Sequence, residues 1–229
     1  MEKYILITGT GRGIGLALVK EFLQNSNIQV LALSRSARPG CIPASDRLRW
    51  LQYDDTMSRT EPEYYYKLIS GQITKLDVLI NNAAIYENKP YMVFSRQESE
   101  YMMNINYHFA AELIRQTIPL LQKTVKPQVI NISSMAGFAG SIKFAGTCHY
   151  AASKAALHAL TEVLAVEYPA IGFNALALGA VQTEMFNKAF PGAAANMTPE
   201  EIAKFVVGFA LHGASLFNGK ILPVSRSTP

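Results

Sequence analysis

The chain has 229 residues, of which 49% are hydrophobic, and its formal net charge is +4. This length and apolar content predict a single domain over residues 1–229, and the scattered Lys and Arg residues give no support to a nucleic-acid partner. Two cysteines are too few for a disulfide framework, no apolar stretch approaches the roughly 20 residues of a membrane span, and the N-terminus shows no signal peptide, so we expect a cytoplasmic protein with no membrane partner.

The predicted elements alternate between strands and helices. Apolar, strand-like runs cover residues 4–8, 28–34, 48–53, 77–83, 128–133, 173–178 and 220–225. Helical patterns cover residues 13–25, 100–123, 150–168 and 198–213. This order predicts an α/β fold, a doubly wound parallel sheet of about seven strands with helices on both faces.

A glycine-rich turn, TGTGRGIG over residues 8–15, follows the first predicted strand. Ligands of an open parallel sheet bind beyond the carboxyl ends of its strands, and the free amides of a helix that begins near Gly13 suit a pyrophosphate. Ile14 stands where the G-x-G-x-x-G fingerprint has its last glycine. The turn therefore predicts a dinucleotide site, with a simple flexible loop as the alternative.

The end of the second strand bears on which dinucleotide binds. An acidic residue there would bind a ribose 2′-hydroxyl and indicate NAD, but the chain has Ser34 and Arg35. Arg35, with Arg12 in the glycine turn, can form charge-assisted bonds to a 2′-phosphate. These residues favour NADP(H) over NAD(H), although for each arginine alone a solvated surface charge is an equally good interpretation.

Tyr150 and Lys154 lie four residues apart on a predicted helix, so both can address one pocket. A phenol with a pKa of about 10 exchanges protons poorly at neutral pH unless a cation stabilises its anion, and Lys154 can be that cation. The sequence NISS, residues 131–134, supplies a serine hydroxyl that can hydrogen-bond a substrate oxygen. The three groups suit acid–base chemistry at that oxygen.

Together these motifs resemble the short-chain dehydrogenase/reductase family, in order and over almost the whole chain. The resemblance rests on TGTGRGIG at 8–15, NNAA at 81–84, NISS at 131–134, YAASK at 150–154, TEM at 183–185 and TPEEIA at 198–203. It implies a Rossmann-type sheet, NADP(H) as cofactor, and hydride transfer between the nicotinamide and a small carbonyl or alcohol substrate.

The resemblance also implies catalytic roles. Tyr150 corresponds to the acid–base, and Lys154 to the lysine that binds the nicotinamide ribose and lowers the tyrosine pKa. The serine that orients the substrate maps to Ser134, with Ser133 as the alternative. The asparagine of the preceding long helix maps to Asn106, with Asn104 as the alternative.

The residues implied to contact the cofactor follow the strand ends. Asp54 is expected beside the adenine, Asn81 is expected to close the site, and Val181 and Thr183 are expected around the nicotinamide amide and the phosphates. With Tyr150 and Lys154, the full implied set is Thr8, Gly9, Gly11, Arg12, Gly13, Ile14, Gly15, Ser34, Arg35, Asp54, Asn81, Ala83, Gly179, Val181 and Thr183.

Asp54 and the neighbouring Asp55 predict a solvated turn or an adenine contact and no metal site, because no further carboxylate or histidine lies at a ligand spacing. Two departures from the family pattern leave other functions open. The stretch between Ser134 and Tyr150 is longer than usual, and Leu178 stands where the family has proline. The alternative is a dinucleotide-binding sensor without turnover; an isomerase or dehydratase is a third hypothesis.

The expected substrate pocket is walled by Ile85, Tyr86, the segment 135–149 and a short loop over 185–196. Their aromatic residues predict a substrate with an apolar body. The predicted helices 100–123 and 150–168 are apolar and long, and in the family these helices commonly associate. We therefore expect a homodimer or homotetramer.

Overall fold

The computed structural model describes residues 2–42, 44–54, 60–213 and 216–226. The strands are β1 (Lys3–Thr8), β2 (Ile28–Ser34), β3 (Leu48–Gln52), β4 (Val78–Asn81), β5 (Gln128–Ser134), β6 (Gly172–Leu178) and β7 (Lys220–Val224). They form one seven-stranded sheet in the order β3-β2-β1-β4-β5-β6-β7, and every neighbouring pair is parallel. This confirms the predicted Rossmann-type α/β fold.

Helices connect the strands and cover the sheet. They are α1 (Gly13–Phe22), α2 (Tyr64–Ser70), α3 (Arg96–Met103), α4 (Phe109–Leu121), α5 (Cys148–Glu167), α6 (Glu184–Ala189) and α7 (Pro199–His212). A π-helical turn, Asn104–His108, joins α3 to α4. Short 3-10 turns occupy Tyr91–Val93 and Met135–Gly137.

The apolar side chains of β1 show how both faces of the sheet are buried. Ile5 and Ile7 contribute to a core shared with α1 and α7, whereas Leu6 contributes to a second core shared with α2, α4 and α5. All three side chains are 0% exposed, as expected for a central parallel strand that is covered on both sides.

The carboxyl ends of the parallel strands lie along one edge of the sheet, and predicted site residues stand there. Thr8 ends β1, Ser34 ends β2, Asn81 ends β4 and Ser134 ends β5. The topology therefore brings together residues that are far apart in the chain.

Several predicted boundaries differ from the structure, and two of the differences have a clear cause. The strand predicted over 77–83 ends at Asn81, because the backbone N–H groups of Asn82 and Ala83 donate to the Thr8 side chain. The loop predicted over 185–196 contains most of α6, which begins after Thr183. The Thr183 hydroxyl accepts from the Phe186 N–H at 3.1 Å, and this cap stabilises a short helix.

Candidate active site

The glycine turn between β1 and α1 has a backbone that side chains would obstruct. Gly9 and Gly13 have φ angles of +69° and +54°, in the left-handed region that favours glycine. A Cβ on Gly15 would overlap the carbonyl of Gly9, and one on Gly9 would lie 2.7 Å from the Ala83 Cα. The Arg12 side chain does not cap the start of α1, so the first backbone N–H groups of the helix have no hydrogen bond from a capping side chain.

Thr8 and Asn82 fasten this turn to the end of β4. The Thr8 Oγ1 accepts from the N–H groups of Asn82 at 2.9 Å and Ala83 at 3.0 Å. The Asn82 Nδ2 donates to the carbonyls of Thr8 at 3.0 Å and Gly9 at 3.2 Å. Sequence reasoning missed Asn82; the signal was the second asparagine of NNAA.

The turn also lies against the end of β2. A Cβ on Gly11 would lie 2.9 Å from the Ser36 Oγ, and that hydroxyl is 3.1 Å from the Ser34 Oγ. Arg12 and Arg35 are both exposed, and the Arg35 Nη1 donates to the Tyr101 hydroxyl at 3.2 Å. The structure therefore places the predicted Gly11, Ser34 and Arg35 along one edge of the sheet.

Asp54 lies just beyond β3, where its backbone N–H donates to the Tyr64 hydroxyl at 3.0 Å. Its side chain is exposed. The neighbouring Asp55 lies outside the described residues.

Tyr150, Lys154 and Ser134 converge at the start of α5. The Lys154 Nζ lies 5.8 Å from the centroid of the Tyr150 ring, and it donates to the Ile132 carbonyl at 2.9 Å. The Ser134 side chain interacts with the Tyr150 hydroxyl. Ser133 points elsewhere: its hydroxyl lies 2.7 Å from the His158 Nε2 and 3.3 Å from the Lys154 carbonyl. Alternation along β5 thus places Ser134, and not Ser133, beside Tyr150.

The electrostatics of this cluster differ from the sequence prediction. Burial raises the pKa of Tyr150 to about 12; Ser134 lowers it in part, and Tyr86 raises it further. Burial lowers the pKa of Lys154 to about 8. The expected lowering of the Tyr150 pKa by Lys154 is wrong for this structure, because burial dominates and the Lys154 ammonium donates to the Ile132 carbonyl.

Asn106 lies in the π-helical turn and is buried. Its Oδ1 accepts from the Ile85 N–H at 2.8 Å, while its Nδ2 donates to the Ile85 carbonyl at 3.0 Å and to the Ser153 Oγ at 3.0 Å. Asn106 therefore ties the segment after β4 to α5. Asn104, the alternative, lines a separate surface cavity of about 300 Å³ together with His149.

The remaining predicted residues surround the end of β6. The Gly179 N–H donates to the Val224 carbonyl at 2.9 Å, and Val181 forms a bridge to Met197. A Cβ on Gly13 would lie 3.4 Å from the Thr183 Cγ2, so the segment after β6 reaches the glycine turn. Leu178, in the position of the family proline, continues β6 and pairs with Val224 of β7.

Several buried polar atoms at this edge have no hydrogen-bond partner among the described residues: the Thr10 Oγ1, the Asn81 Oδ1 and the Tyr86 hydroxyl. Within the described ranges, the Asn81 side chain is bonded through its Nδ2, which donates to the Asn131 Oδ1 at 2.8 Å. Unpartnered buried groups are uncommon and suit a site that accepts a polar ligand.

The short chain dehydrogenase family model matches residues 3–194. The chain belongs to the short-chain dehydrogenase family. It is thus an oxidoreductase of the kind that acts on alcohol and carbonyl groups. Within the described ranges, this short-chain dehydrogenase has no helix long and apolar enough to cross a membrane and no group of three or more His, Cys, Asp or Glu placed to hold a metal ion.

Individual relatives agree with this assignment. A 3-oxoacyl-[acyl-carrier-protein] reductase from Chlamydia pneumoniae is 28% identical over 244 residues, which cover 97% of this chain and 95% of the relative. The structure of ElxO with NADP bound has a TM-score of 0.84 and 25% identity, covering 98% of this chain and 97% of that one. The structure of 4-hydroxyisoleucine dehydrogenase complexed with NADH has a TM-score of 0.85 and 24% identity over 98% of this chain and 97% of that one. The cofactors of the two structures differ in the 2′-phosphate.

Proposed function

We propose that this short-chain dehydrogenase transfers a hydride between NADP(H) and a small carbonyl or alcohol substrate, in the cytoplasm and preferentially in the direction of carbonyl reduction. The observation that carries the proposal is the convergence of Ser134 and Tyr150 at the carboxyl edge of the sheet, with Lys154 one helical turn beyond the tyrosine. This edge also carries the glycine turn.

The residues at this edge fit a dinucleotide. The glycine backbone and the uncapped start of α1 suit a pyrophosphate, because no Cβ obstructs the amides and the helix N-terminus favours an anion. The Thr10 and Asn81 oxygens are buried and without partners in the described part of the chain, so they are available to a bound polar group.

The nicotinamide, when bound, supplies or accepts the hydride. In reduction, the Tyr150 hydroxyl donates its proton to the substrate carbonyl oxygen, while the Ser134 hydroxyl donates a hydrogen bond to the same oxygen. Lys154 keeps positive charge near the phenolate that is left, and Asn106 holds the pocket wall at Ile85. Burial raises the Tyr150 pKa to about 12, so the phenol is protonated at neutral pH but is a weaker acid than a free phenol, and the interaction with Ser134, which lowers this pKa, favours release of the proton.

The proposed preference for NADP(H) is supported by charge. Arg35 is exposed just beyond Ser34, the last residue of β2, where an acidic residue would select NAD, and Arg12 is exposed in the glycine turn after β1. A guanidinium can form two parallel bonds to a phosphate, and such charge-assisted bonds exceed neutral ones in strength.

A panel of aldehydes and ketones assayed with NADPH and NADH side by side tests the proposal. We expect consumption of NADPH with some members of the panel, and a fall in kcat of roughly 100-fold or more for Tyr150→Phe, since proton transfer is lost while the ring remains. Tyr168→Phe, at the end of α5, is the matched control and should retain activity. Full turnover by Tyr150→Phe contradicts the mechanism; NADPH binding without turnover on any substrate supports a sensor instead.

The same assay tests the cofactor assignment. Combined replacement of Arg12 and Arg35 by Ala should raise the KM for NADPH about tenfold or more, because charge-assisted bonds to the phosphate are lost, and should change the KM for NADH much less. Equal effects on both cofactors contradict the assignment.

A further inference from the structure

Tyr86 lies against Tyr150. The two rings meet edge to face, with centroids 4.8 Å apart and an interplanar angle of 69°. The Tyr86 phenol also raises the pKa of Tyr150 through charge repulsion between the two anionic forms. The ring contact therefore places Tyr86 beside the residue that we propose exchanges a proton with the substrate.

The position of Tyr86 is fixed from both sides. The preceding residue, Ile85, has its N–H and its carbonyl bound by the Asn106 side chain at 2.8 and 3.0 Å. The following residue, Glu87, pairs with Lys188 of α6 at 3.3 Å. The Tyr86 ring also lies 6.0 Å from the Phe190 ring, centroid to centroid. Tyr86 is thus held between the acid–base tyrosine and the aromatic residues that follow α6.

The Tyr86 hydroxyl is buried and has no hydrogen-bond partner among the described residues. Asn88 lowers the pKa of this phenol but does not reach hydrogen-bond geometry, and burial raises the pKa more strongly. A buried donor without a partner is costly to the protein, so one that lies beside the proposed acid–base tyrosine is best explained by a ligand that satisfies it.

We propose that the Tyr86 hydroxyl donates a hydrogen bond to a second oxygen of the substrate, while the reacting oxygen lies against Tyr150 and Ser134. The substrate class is then a ketone with an apolar body and a further carbonyl oxygen close to the reacting one, such as an α-diketone or a keto ester. Phe190, with Phe186 at 5.3 Å and Phe144 at 6.5 Å between ring centroids, supplies the apolar wall. This inference rests on the proposed oxidoreductase function.

Two matched pairs of ketones test the inference. 1-Phenylpropane-1,2-dione is compared with propiophenone, and ethyl benzoylacetate with hexanophenone, so that each pair differs in the second oxygen function. We expect kcat/KM to be about tenfold higher for the oxygen-bearing member of each pair, and Tyr86→Phe to lower this ratio within each pair about tenfold by acting mainly on the oxygen-bearing member. Tyr168→Phe removes the hydroxyl of a tyrosine that lies away from the pocket, so this variant should keep the preference.

Calorimetric binding of the same pairs to the protein loaded with NADP⁺ separates the two proposals. If Tyr86→Phe loses the binding preference, the proposed hydrogen bond from the Tyr86 hydroxyl is supported even when no ketone is reduced. Absence of reduction would overturn only the oxidoreductase proposal. If Tyr86→Phe reduces both members of a pair and keeps the wild-type preference, the proposed Tyr86 hydrogen bond is overturned and the oxidoreductase proposal stands. If the wild type shows no binding preference within the pairs, the proposed Tyr86 hydrogen bond is overturned, whether or not the ketones are reduced.

Discussion

His158 is a buried residue that the sequence did not single out, and it supports the catalytic segment from behind. Its Nε2 lies 2.7 Å from the Ser133 Oγ, next to Ser134, and the backbone of Gly137 raises its pKa in part. The ring also meets Phe138 edge to face at 6.3 Å. Burial lowers the pKa of His158 to about 4, so this histidine is neutral in the folded protein at neutral pH.

The depressed pKa of His158 predicts a loss of stability in acid. The unfolded chain takes up this proton near pH 6.5, whereas the folded protein resists it until about pH 4, so the free energy of unfolding falls as the pH falls between these values. A difference of this size corresponds to about 3 kcal/mol at most. Urea unfolding of His158→Leu should show a flatter dependence over this range.

The control for this measurement is His212→Leu, which removes an exposed histidine at the end of α7. This variant should keep the wild-type decrease in the free energy of unfolding as the pH falls. An equally steep loss in His158→Leu would mean that other groups cause the acid sensitivity.

Elements were predictable from sequence where one local pattern decides them. β2 is found over the same residues as predicted, and β5 and β6 each differ by one residue, because these strands are rich in apolar residues and buried on both faces. The end of β4 and the short α6 were not predictable, since they depend on the Thr8 hydroxyl and the Thr183 cap. These side-chain bonds are visible only once the chain is folded.

The candidate site also has features that the sequence predicts and features that it does not. Motif spacing was enough to nominate the glycine turn, Tyr150 and Lys154, but it left Ser133 as an alternative to Ser134, and the two serines are distinguished only by their partners in the folded chain. The roles of Asn82 and His158, and the direction of the Tyr150 pKa shift, depend on burial and on partners distant in the chain, which spacing does not reveal.

The junction of β1 and α1 gives a prediction at the scale of elements. In Gly15→Ala, the new Cβ would collide with the Gly9 carbonyl, so α1 must move away from the turn that we propose holds the pyrophosphate. We expect the Kd for NADPH, measured by calorimetry, to rise about tenfold or more.

Gly208→Ala is the matched control, because a Cβ there meets nothing within 4 Å in the middle of α7. It should leave NADPH binding unchanged and stabilise the fold by roughly 0.5–1 kcal/mol, since alanine loses less backbone entropy in a helix. Wild-type affinity in a folded Gly15→Ala variant would contradict the proposed role of the turn.

At the scale of the whole molecule, apolar residues on the outer surface of α3 and α5 bear on the oligomer that we propose. Tyr101 is 43% exposed, Val163 53% and Val166 80%. Val163 and Val166 lie three residues apart on α5 and so share a face; exposed apolar faces favour association, and closed dimers or tetramers are the commonest result.

Light scattering should therefore find a dimer or tetramer for the wild type. The double variant Val163→Asp, Val166→Glu should shift the mass to that of a monomer, because charges would be buried in the interface. Val125→Glu, at a residue that is 94% exposed and lies beyond α4, should leave the mass unchanged. A monomeric wild type, or an unaffected double variant, contradicts this assembly.

The π-helical turn Asn104–His108 affects how residues 96–121 are compared with other helices. Such a turn takes up one more residue than an α-helical turn, and one residue rotates an α-helix by about 100°. Side chains before and after it therefore do not follow a single helical wheel, and a wheel drawn from α4 backwards assigns wrong faces to α3. A chimera that exchanges part of this helix must keep the extra residue, or the two halves present their faces to the wrong neighbours.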